Sequence, residues 1–123
     1  MIKYAQTHEY ILVEEGNTAY IGISPYAAHQ LGNVVYVEMP FVDDSYEAGE
    51  SFGAIESVKA ASDLFAPVAC TILECNAAVE DDPTLVGKDP LENWIVKVEI
   101  KDLAELDELM DQAEYDKFCK EQH

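Results

Sequence analysis

The sequence contains no arginine, and this absence narrows what the protein can bind. Only seven lysines stand against 25 acidic residues, which gives a formal net charge of -18. A surface of this sign repels nucleic acid and anionic membranes, and without guanidinium groups it lacks the bidentate grip that suits phosphates. The composition therefore argues against a nucleic-acid-binding protein and against a nucleotide-dependent enzyme. The acidic excess favours solubility, and it fits equally attraction toward basic protein partners and a solvated acidic face with no partner.

Long apolar runs are also missing. No stretch of roughly 18 apolar residues occurs, so no segment is predicted to span a bilayer. The residues from Met1 to Thr7 form neither an apolar signal core nor an Arg- and Ser-rich presequence. We therefore expect a cytoplasmic protein with no membrane partner. A location in the mitochondrial matrix is expected only if this chain is a processed form.

Cysteine and histidine are scarce, and their spacing predicts neither a disulfide framework nor a metal site. The three cysteines, an odd number, include no C-x-x-C pair. Cys70 and Cys75 lie in one strand-like stretch, an odd number of residues apart, so alternation predicts that they point to opposite faces. The histidines are His8, His29 and His123. They follow no ligand spacing, and we predict buried or idle thiols and no bound metal.

What the sequence does contain is a series of short β-prone stretches. The chain of 123 residues fits one domain, which we predict to span 1–123 and to be mainly β. Strands at 10–13 and 18–23 flank a turn cluster and predict a hairpin. Further strands are predicted at 34–37, 51–57, 61–66, 71–75 and 94–100. Ser24-Pro25 and Gly32 mark the start and the end of a short internal helix between them.

The second half of the chain ends in helical patterns. The acidic stretch 80–90, with two prolines, predicts a loop or a few irregular turns. The run from Asp102 to Glu105 resembles a capping box with aspartate in the cap role, and apolar residues follow at helical spacing. A second short helix is predicted to begin at 111–114 and to carry Tyr115 and Phe118 on one side.

One lysine holds a distinctive position. Lys59 lies between the predicted strands 51–57 and 61–66, so a tight hairpin would present its amine at the tip, within reach of other proteins. Its neighbours Val58 and Ala60 carry no charge that would activate the amine. Such a lysine is better suited to modification by another enzyme than to chemistry of its own. By position alone, an ordinary solvated lysine is the favoured interpretation.

The residues around Lys59 carry a pattern that extends along the chain. They read Glu56-Ser57-Val58-Lys59-Ala60-Ala61-Ser62-Asp63-Leu64. This run closely resembles the lipoyl-attachment motif of glycine cleavage H proteins. Further blocks similar to that family are Thr7-His8-Glu9, Leu31-Gly32-Asn33-Val34, Ala48-Gly49-Glu50-Ser51-Phe52-Gly53 and Trp94-Ile95-Val96-Lys97-Val98. The resemblance covers nearly the whole chain.

The resemblance implies a fold, a cofactor and a set of partners. The implied fold is a lipoyl-type barrel-sandwich hybrid with a short internal helix and C-terminal helices. Lipoic acid would be joined to Lys59 through an amide by a lipoate ligase or a lipoyl/octanoyl transferase, within the motif residues Glu56, Ser57, Val58, Ala60 and Asp63. The arm would carry the methylamine group of glycine from the P protein (glycine decarboxylase) to the T protein (aminomethyltransferase). The L protein (dihydrolipoamide dehydrogenase) would then reoxidise the dithiol, so this chain is expected to be a non-catalytic carrier subunit.

The family also has a cleft that shields the loaded arm from hydrolysis. The residues that match its lining are Thr7, Glu9 and Asp63, and the carboxylates of Glu9 and Asp63 could hold a cationic amine. The family often has histidine immediately before the Leu-Gly pair of the short helix. Here Gln30 occupies that position and His29 precedes it, so a helical rotation of about 100° separates the two side chains. Neither inherits the role from the sequence alone.

One departure from the family pattern concerns the backbone. Cys70 occupies a position usually held by glycine. Because cysteine lacks the freedom of glycine at positive φ, we expect this turn to differ or to carry strain.

Three other function classes stay open at this point. A lipoate relay protein of the same fold would pass lipoyl groups to other acceptors. A biotinyl carrier would have methionines beside the lysine, which Val58 and Ala60 oppose. An independent enzyme would need a nucleophile–base pair or a metal cluster, and the sequence predicts neither.

Overall fold

Two antiparallel β-sheets form the framework of the protein, whose structure is a computed structural model that describes residues 1–121. The larger sheet contains β1 (Ile2–Tyr4), β2 (Glu9–Glu15), β3 (Thr18–Ile23), β5 (Ser45–Tyr46), β8 (Cys70–Cys75) and β9 (Val96–Ile100). Its six strands run in the order β1-β2-β3-β9-β8-β5. The smaller sheet contains β4 (Val34–Glu38), β6 (Ser51–Ser57) and β7 (Ala61–Phe65), with β6 in the centre. The predicted mainly β architecture is confirmed.

Side chains on one face of each sheet fill the main hydrophobic core. In β9 burial alternates, because Val96, Val98 and Ile100 are buried whereas Glu99 is exposed, although Ile95 directly before the strand is buried as well. The smaller sheet adds Ile55 and Leu64 to the same core. Such alternation is typical of sheets that bury only one face.

The short internal helix begins and ends where its sequence signals predict. It is α1 (Pro25–Leu31). The Ser24 hydroxyl accepts a hydrogen bond from Ala27 N, and Pro25 supplies a preset φ and has no N–H that would need an acceptor. Gly32 ends the helix with φ 75°, and its N–H donates to the Ala28 carbonyl. This helix packs near the end of the smaller sheet.

The stretch 80–90 is more regular than the prediction of a loop or irregular turns. It contains the end of one five-residue helix and the whole of another, namely α2 (Ala77–Asp81) and α3 (Thr84–Lys88). Asn76 caps the first helix by accepting from Ala78 N, and Asp82 accepts from Thr84 N at the start of the second. The caps and one buried valine in each helix stabilise turns too short to show helical periodicity in the sequence.

The C-terminal segment forms the predicted helices, but the capping box lies elsewhere. Asp102 caps a 3₁₀ helix (Leu103–Glu108), whereas Glu105 accepts a hydrogen bond from Ala69 N at 2.8 Å and does not close the predicted box. The reciprocal pair occurs at the next helix, α4 (Gln112–Glu121). There Glu114 N donates to Asp111 Oδ1 at 2.8 Å and Asp111 N donates to Glu114 Oε1 at 3.1 Å. Within residues 1–121, no helix is long and apolar enough to cross a bilayer.

The expectation that Cys70 and Cys75 point to opposite faces is wrong, and of the two outcomes expected for the turn at Cys70, strain does not occur. Cys70 and Cys75 do not point to opposite faces: Cys70 belongs to the main core and Cys75 packs against it. The cause is a β-bulge between Ile72 and Glu74, which inserts one residue and reverses the alternation. Cys70 also carries no left-handed strain, since it is the first residue of β8, and His8 and Asp43 are the non-glycine residues of positive φ in the described chain. Burial raises the pKa of the Cys70 thiol to about 11, which keeps it unreactive.

Candidate functional site

Lys59 lies at the tip of the hairpin formed by β6 and β7. The last pair of the ladder is Glu56 with Ala61, and residues 58–60 form the connection. The whole tip is exposed, Lys59 included. The predicted presentation of this amine at a hairpin tip is therefore what the structure shows.

The hydroxyl of Ser57 organises this tip. It accepts hydrogen bonds from Lys59 N and from Ala60 N, each at 3.1 Å, and donates to the Ala60 carbonyl at 3.2 Å. The Ser57 backbone N–H also donates to that carbonyl at 2.8 Å. A small side chain that bonds its own following backbone in this way fixes a turn locally. The backbone that carries Lys59 is consequently well defined.

A second contact holds the hairpin tip beside α1. Val58 N donates to the Asn33 carbonyl at 3.0 Å. The aliphatic stem of Lys59 runs over Gly32, because a methyl group built on that glycine would lie 3.4 Å from Lys59 Cε and 3.7 Å from Nζ. The positive φ of Gly32 and this close approach both favour glycine. The base of the lysine arm thus starts at the end of α1.

A cavity of about 280 Å³ opens next to that point, between α1, β7 and the start of β2. Its apolar lining comes from Ile23, Ala27, Leu31, Ile55 and Leu64. Its polar lining includes Thr7, Glu9 and Asp63, which the sequence resemblance places in a cleft, and also Gln30, one of the two candidates for the family's histidine position. We call this space the Glu9 cavity. Leu31 directly precedes Gly32, so the cavity begins one residue from the contact with Lys59.

Glu9 is the buried carboxylate of this cavity, with only 2% of its surface exposed. Thr7 donates a hydrogen bond to one carboxylate oxygen, and Phe65 N donates to the other at 3.1 Å. Burial raises the pKa of Glu9 to about 7, and these two hydrogen bonds oppose the rise. Glu9 therefore changes between neutral and charged near neutral pH. Asp63, by contrast, is exposed at the rim.

His8 lines the same cavity, and reasoning from sequence missed it. In an extended segment His8 would point away from Thr7 and Glu9. Its φ of 79° breaks that alternation, so that all three consecutive residues reach the cavity. Histidine tolerates the left-handed region better than most residues, but nothing in the sequence marks this position as left-handed. Tyr26 and Ser62 complete the lining and were also not predicted.

The structure distinguishes Gln30 from His29, the two residues of α1 considered for the family's histidine position. Gln30 lines the Glu9 cavity, whereas His29 is exposed and does not belong to its lining. The third histidine, His123, lies outside the described residues. No group of three or more histidine, cysteine or acidic side chains in residues 1–121 is arranged to hold a metal ion.

Comparison with known proteins identifies the family. A family model described as glycine cleavage H-protein matches residues 2–122. The glycine cleavage system H protein of Thermoanaerobacter sp. (strain X514) is 50% identical over 119 residues, covering 97% of this chain and 94% of the relative. That of Clostridioides difficile (strain 630) is 47% identical over 115 residues, covering 94% and 92%.

The fold comparison agrees. A crystal structure of a glycine cleavage system H protein from Mycobacterium marinum superposes with a TM-score of 0.85 at 31% identity, covering 98% of this chain and 95% of that one. The predicted lipoyl-type barrel-sandwich fold is thereby confirmed. On the sequence match and the fold together, this chain belongs to the glycine cleavage H-protein family.

Proposed function

We propose that this chain is the lipoyl carrier of the glycine cleavage system, with Lys59 as its attachment residue. The observation that carries the proposal is the exposed Lys59 at a fixed hairpin tip, whose stem lies over Gly32, the residue next to Leu31 in the lining of the Glu9 cavity. An arm that must visit several enzymes needs such an accessible anchor. An arm that must also be protected between visits needs a cavity within reach of that anchor.

The tip suits amide attachment of lipoic acid. The Lys59 amine is reachable by a ligase or a lipoyl/octanoyl transferase, and the exposed Val58 beside it offers an apolar contact. Glu56 and Ala60 complete the exposed motif, while Ser57 holds its backbone. When attached, lipoate supplies a redox-active dithiolane on a long tether, and tethering raises its effective concentration at each docked enzyme.

The Glu9 cavity suits a cationic cargo. A methylamine group carried on the arm would be positively charged, and Glu9 and Asp63 offer carboxylates that bind such a group by charge-assisted hydrogen bonds. Thr7 and Gln30 add neutral hydrogen-bonding groups at the same wall. The apolar lining would limit the access of water and so slow hydrolysis of the cargo.

The partners proposed are the P, T and L proteins of the system, and the chain itself performs no chemistry on glycine. Its charge of -18 would speed encounters with basic docking surfaces. We propose that residues 1–123 act as one carrier unit in the cytoplasm. The mitochondrial alternative gains no support from the bacterial relatives.

A lipoate relay role would use the same lysine and the same fold. The names of the relatives favour the glycine cleavage role over it. The two roles separate in a reconstituted assay, because only a member of the cycle supports glycine-dependent exchange of carbon dioxide with the P protein.

Lipoylation of Lys59 is tested by mass spectrometry of the intact protein after reaction with lipoate ligase, lipoate and ATP. We expect one lipoyl adduct, located on Lys59 by peptide mapping. Lys59→Arg should keep the fold, lose the adduct and lose carbon dioxide exchange completely, whereas the exposed control Lys117→Arg should behave as the wild type. An adduct on another lysine, or carrier activity in Lys59→Arg, contradicts the assignment.

A further inference from the structure

A buried tyrosine of the C-terminal helix reaches the wall of the Glu9 cavity. Tyr115 lies on α4 and is 3% exposed. Its hydroxyl oxygen is 2.6 Å from His8 Nδ1 and 2.6 Å from Ser24 Oγ. A phenol has one hydrogen and two acceptor sites, so it can donate to one neighbour while it accepts from the other. One hydroxyl thus joins three separate segments of the chain.

Both partners of this hydroxyl stand at the end of the ladder that carries Glu9. Glu9 pairs with Ile23 in the β2–β3 register, and the next hydrogen bond runs from Ser24 N to the His8 carbonyl at 2.9 Å. His8 directly precedes Glu9, and Ser24 directly follows Ile23. The hydroxyl of Tyr115 therefore closes the ladder one residue from the buried carboxylate.

The junction also reaches the helix that forms the opposite wall. Ser24 Oγ accepts from Ala27 N at 3.1 Å, and Ala27 lines the Glu9 cavity. His8, on the other side of the junction, lines the cavity in a left-handed conformation that costs on the order of 1 kcal/mol or more for a residue other than glycine. Such a conformation persists only where surrounding contacts hold it.

Tyr115 is itself held firmly. Its ring stacks on Tyr4 at 4.2 Å between centroids with 6° between planes. Tyr4 is joined to the C-terminal segment by two backbone hydrogen bonds with Met110, at 2.8 and 2.9 Å. The position of the hydroxyl is therefore set by packing that does not depend on the cavity.

We propose that Tyr115 is a positioning residue of the Glu9 cavity: its hydroxyl joins His8 to Ser24 and so fixes the wall that holds Glu9. This proposal rests on the proposed function, in which the cavity protects the loaded arm. It assigns to the C-terminal helix a part in that protection, although none of the residues of α4 lines the cavity.

The test compares two single-atom deletions in the same aromatic pair. Tyr115→Phe removes the junction and keeps the ring. Tyr4→Phe removes a hydroxyl that donates to Gln112 Oε1 at 2.8 Å, away from the cavity, and keeps the same stack. If the Tyr115 hydroxyl only stabilised the fold, Tyr115→Phe and Tyr4→Phe would have similar effects on the cavity.

The first readout uses the unmodified chain, without lipoate. The amide of Phe65 donates to Glu9, so its NMR chemical shift reports the titration of that carboxyl. Loosening of the wall should admit water, and in Tyr115→Phe we expect the midpoint of this titration to fall by about one pH unit. Tyr4→Phe should titrate as the wild type does. An unchanged Phe65 titration in Tyr115→Phe overturns the proposal.

The second readout uses the lipoylated protein, loaded through the P protein and then separated from it. Release of ammonia from the loaded arm should be about tenfold faster in Tyr115→Phe, and within about twofold of the wild type in Tyr4→Phe. Equal release from Tyr115→Phe and from a wild type that retains its amine also overturns the proposal. If the wild-type protein does not retain the amine on its arm, the proposed function is contradicted instead. The Phe65 titration then decides the role of Tyr115. If Tyr115→Phe does not fold, Ser24→Gly breaks the same junction, costs the capping of α1 less than alanine would, and is judged by the same two readouts.

Discussion

The Lys59 tip and the Glu9 cavity lie side by side but are built in opposite ways. The turn at the tip is closed by hydrogen bonds of Ser57 with residues two or three positions away, and a single backbone bond, from Val58 N to the Asn33 carbonyl, joins it to a distant segment. The cavity depends on contacts such as that of Glu9 with Phe65, which are 56 residues apart, and that of His8 with Tyr115, which are 107 apart. A local structure can form from its own sequence, whereas a structure of distant segments depends on the whole fold.

The difference matters for function. The tip has to be recognised by several enzymes, and a short self-contained turn presents the same shape to each of them. The cavity has to exclude water and hold a charge, which requires walls from several elements packed together. We therefore expect substitutions at the cavity to change stability and titration, and substitutions at the tip to change mainly the rate of modification.

The largest effect is expected from Glu9→Gln, a change confined to the cavity. Burial raises the pKa of Glu9 from 4.5 to about 7, so between these values the folded protein holds a proton that the unfolded chain has released. Stability linked to this group is therefore lost as pH rises across that interval, by about 3 kcal/mol. The glutamine variant cannot release a proton, so it should be as stable as the wild type near pH 4.5 and more stable at pH 8.

Urea unfolding at a series of pH values measures this difference. Other acids also titrate, so the informative quantity is the wild-type free energy of unfolding minus that of Glu9→Gln. The exposed Glu99→Gln serves as the control and should leave the pH dependence unchanged. Parallel curves for the wild type and Glu9→Gln would show that burial does not set the titration of this carboxyl.

The same contrast explains what could be predicted from sequence. Local signals predicted α1 and the β6–β7 hairpin well, because the cap residue Ser24, the stop residue Gly32 and strand alternation each act within a few residues. Local signals gave wrong predictions where a contact with a distant residue is formed instead of the local one. Glu105 has the spacing of a capping box but bonds the backbone of Ala69 instead. The bulge in β8 likewise has no signal in the sequence.

The cavity was predicted only through resemblance to a family. Thr7, Glu9 and Asp63 have nothing in their local sequence that distinguishes them from surface residues. The sequence analysis gave His8 no place in the cavity, and nothing in the sequence marks its φ of 79°. The hydroxyl of Tyr115 illustrates the same limit, since periodicity predicts which helix side is buried but not which atoms a buried phenol meets.

A smaller effect is expected where the two regions touch. Gly32→Ala places a methyl group 3.4 Å from Lys59 Cε and forces alanine into a φ of 75°, which should cost about 2 kcal/mol. Crowding of the lysine stem should also slow lipoylation. Gly49→Ala is the matched control, because its φ is 87° but nothing lies within 4 Å of the added methyl group. Initial lipoylation rates and urea unfolding of both variants separate backbone strain from contact with Lys59, and equal lipoylation rates would show that the stem is not confined by Gly32.

The smallest change in stability is expected from Ser57→Ala, which acts only on the tip. The variant loses the hydroxyl that accepts from Lys59 N and Ala60 N, and because the tip is exposed, water replaces these bonds at a cost of about 1 kcal/mol. Amide hydrogen exchange should quicken at Lys59 and Ala60 but not at Phe65, since the cavity does not use this turn. Ser51→Ala, which removes a single bond to the Gly53 carbonyl at the far end of β6, provides the control. Faster exchange at Phe65 in Ser57→Ala would mean that the tip and the cavity are one cooperative unit, and the separation drawn between them would then be wrong.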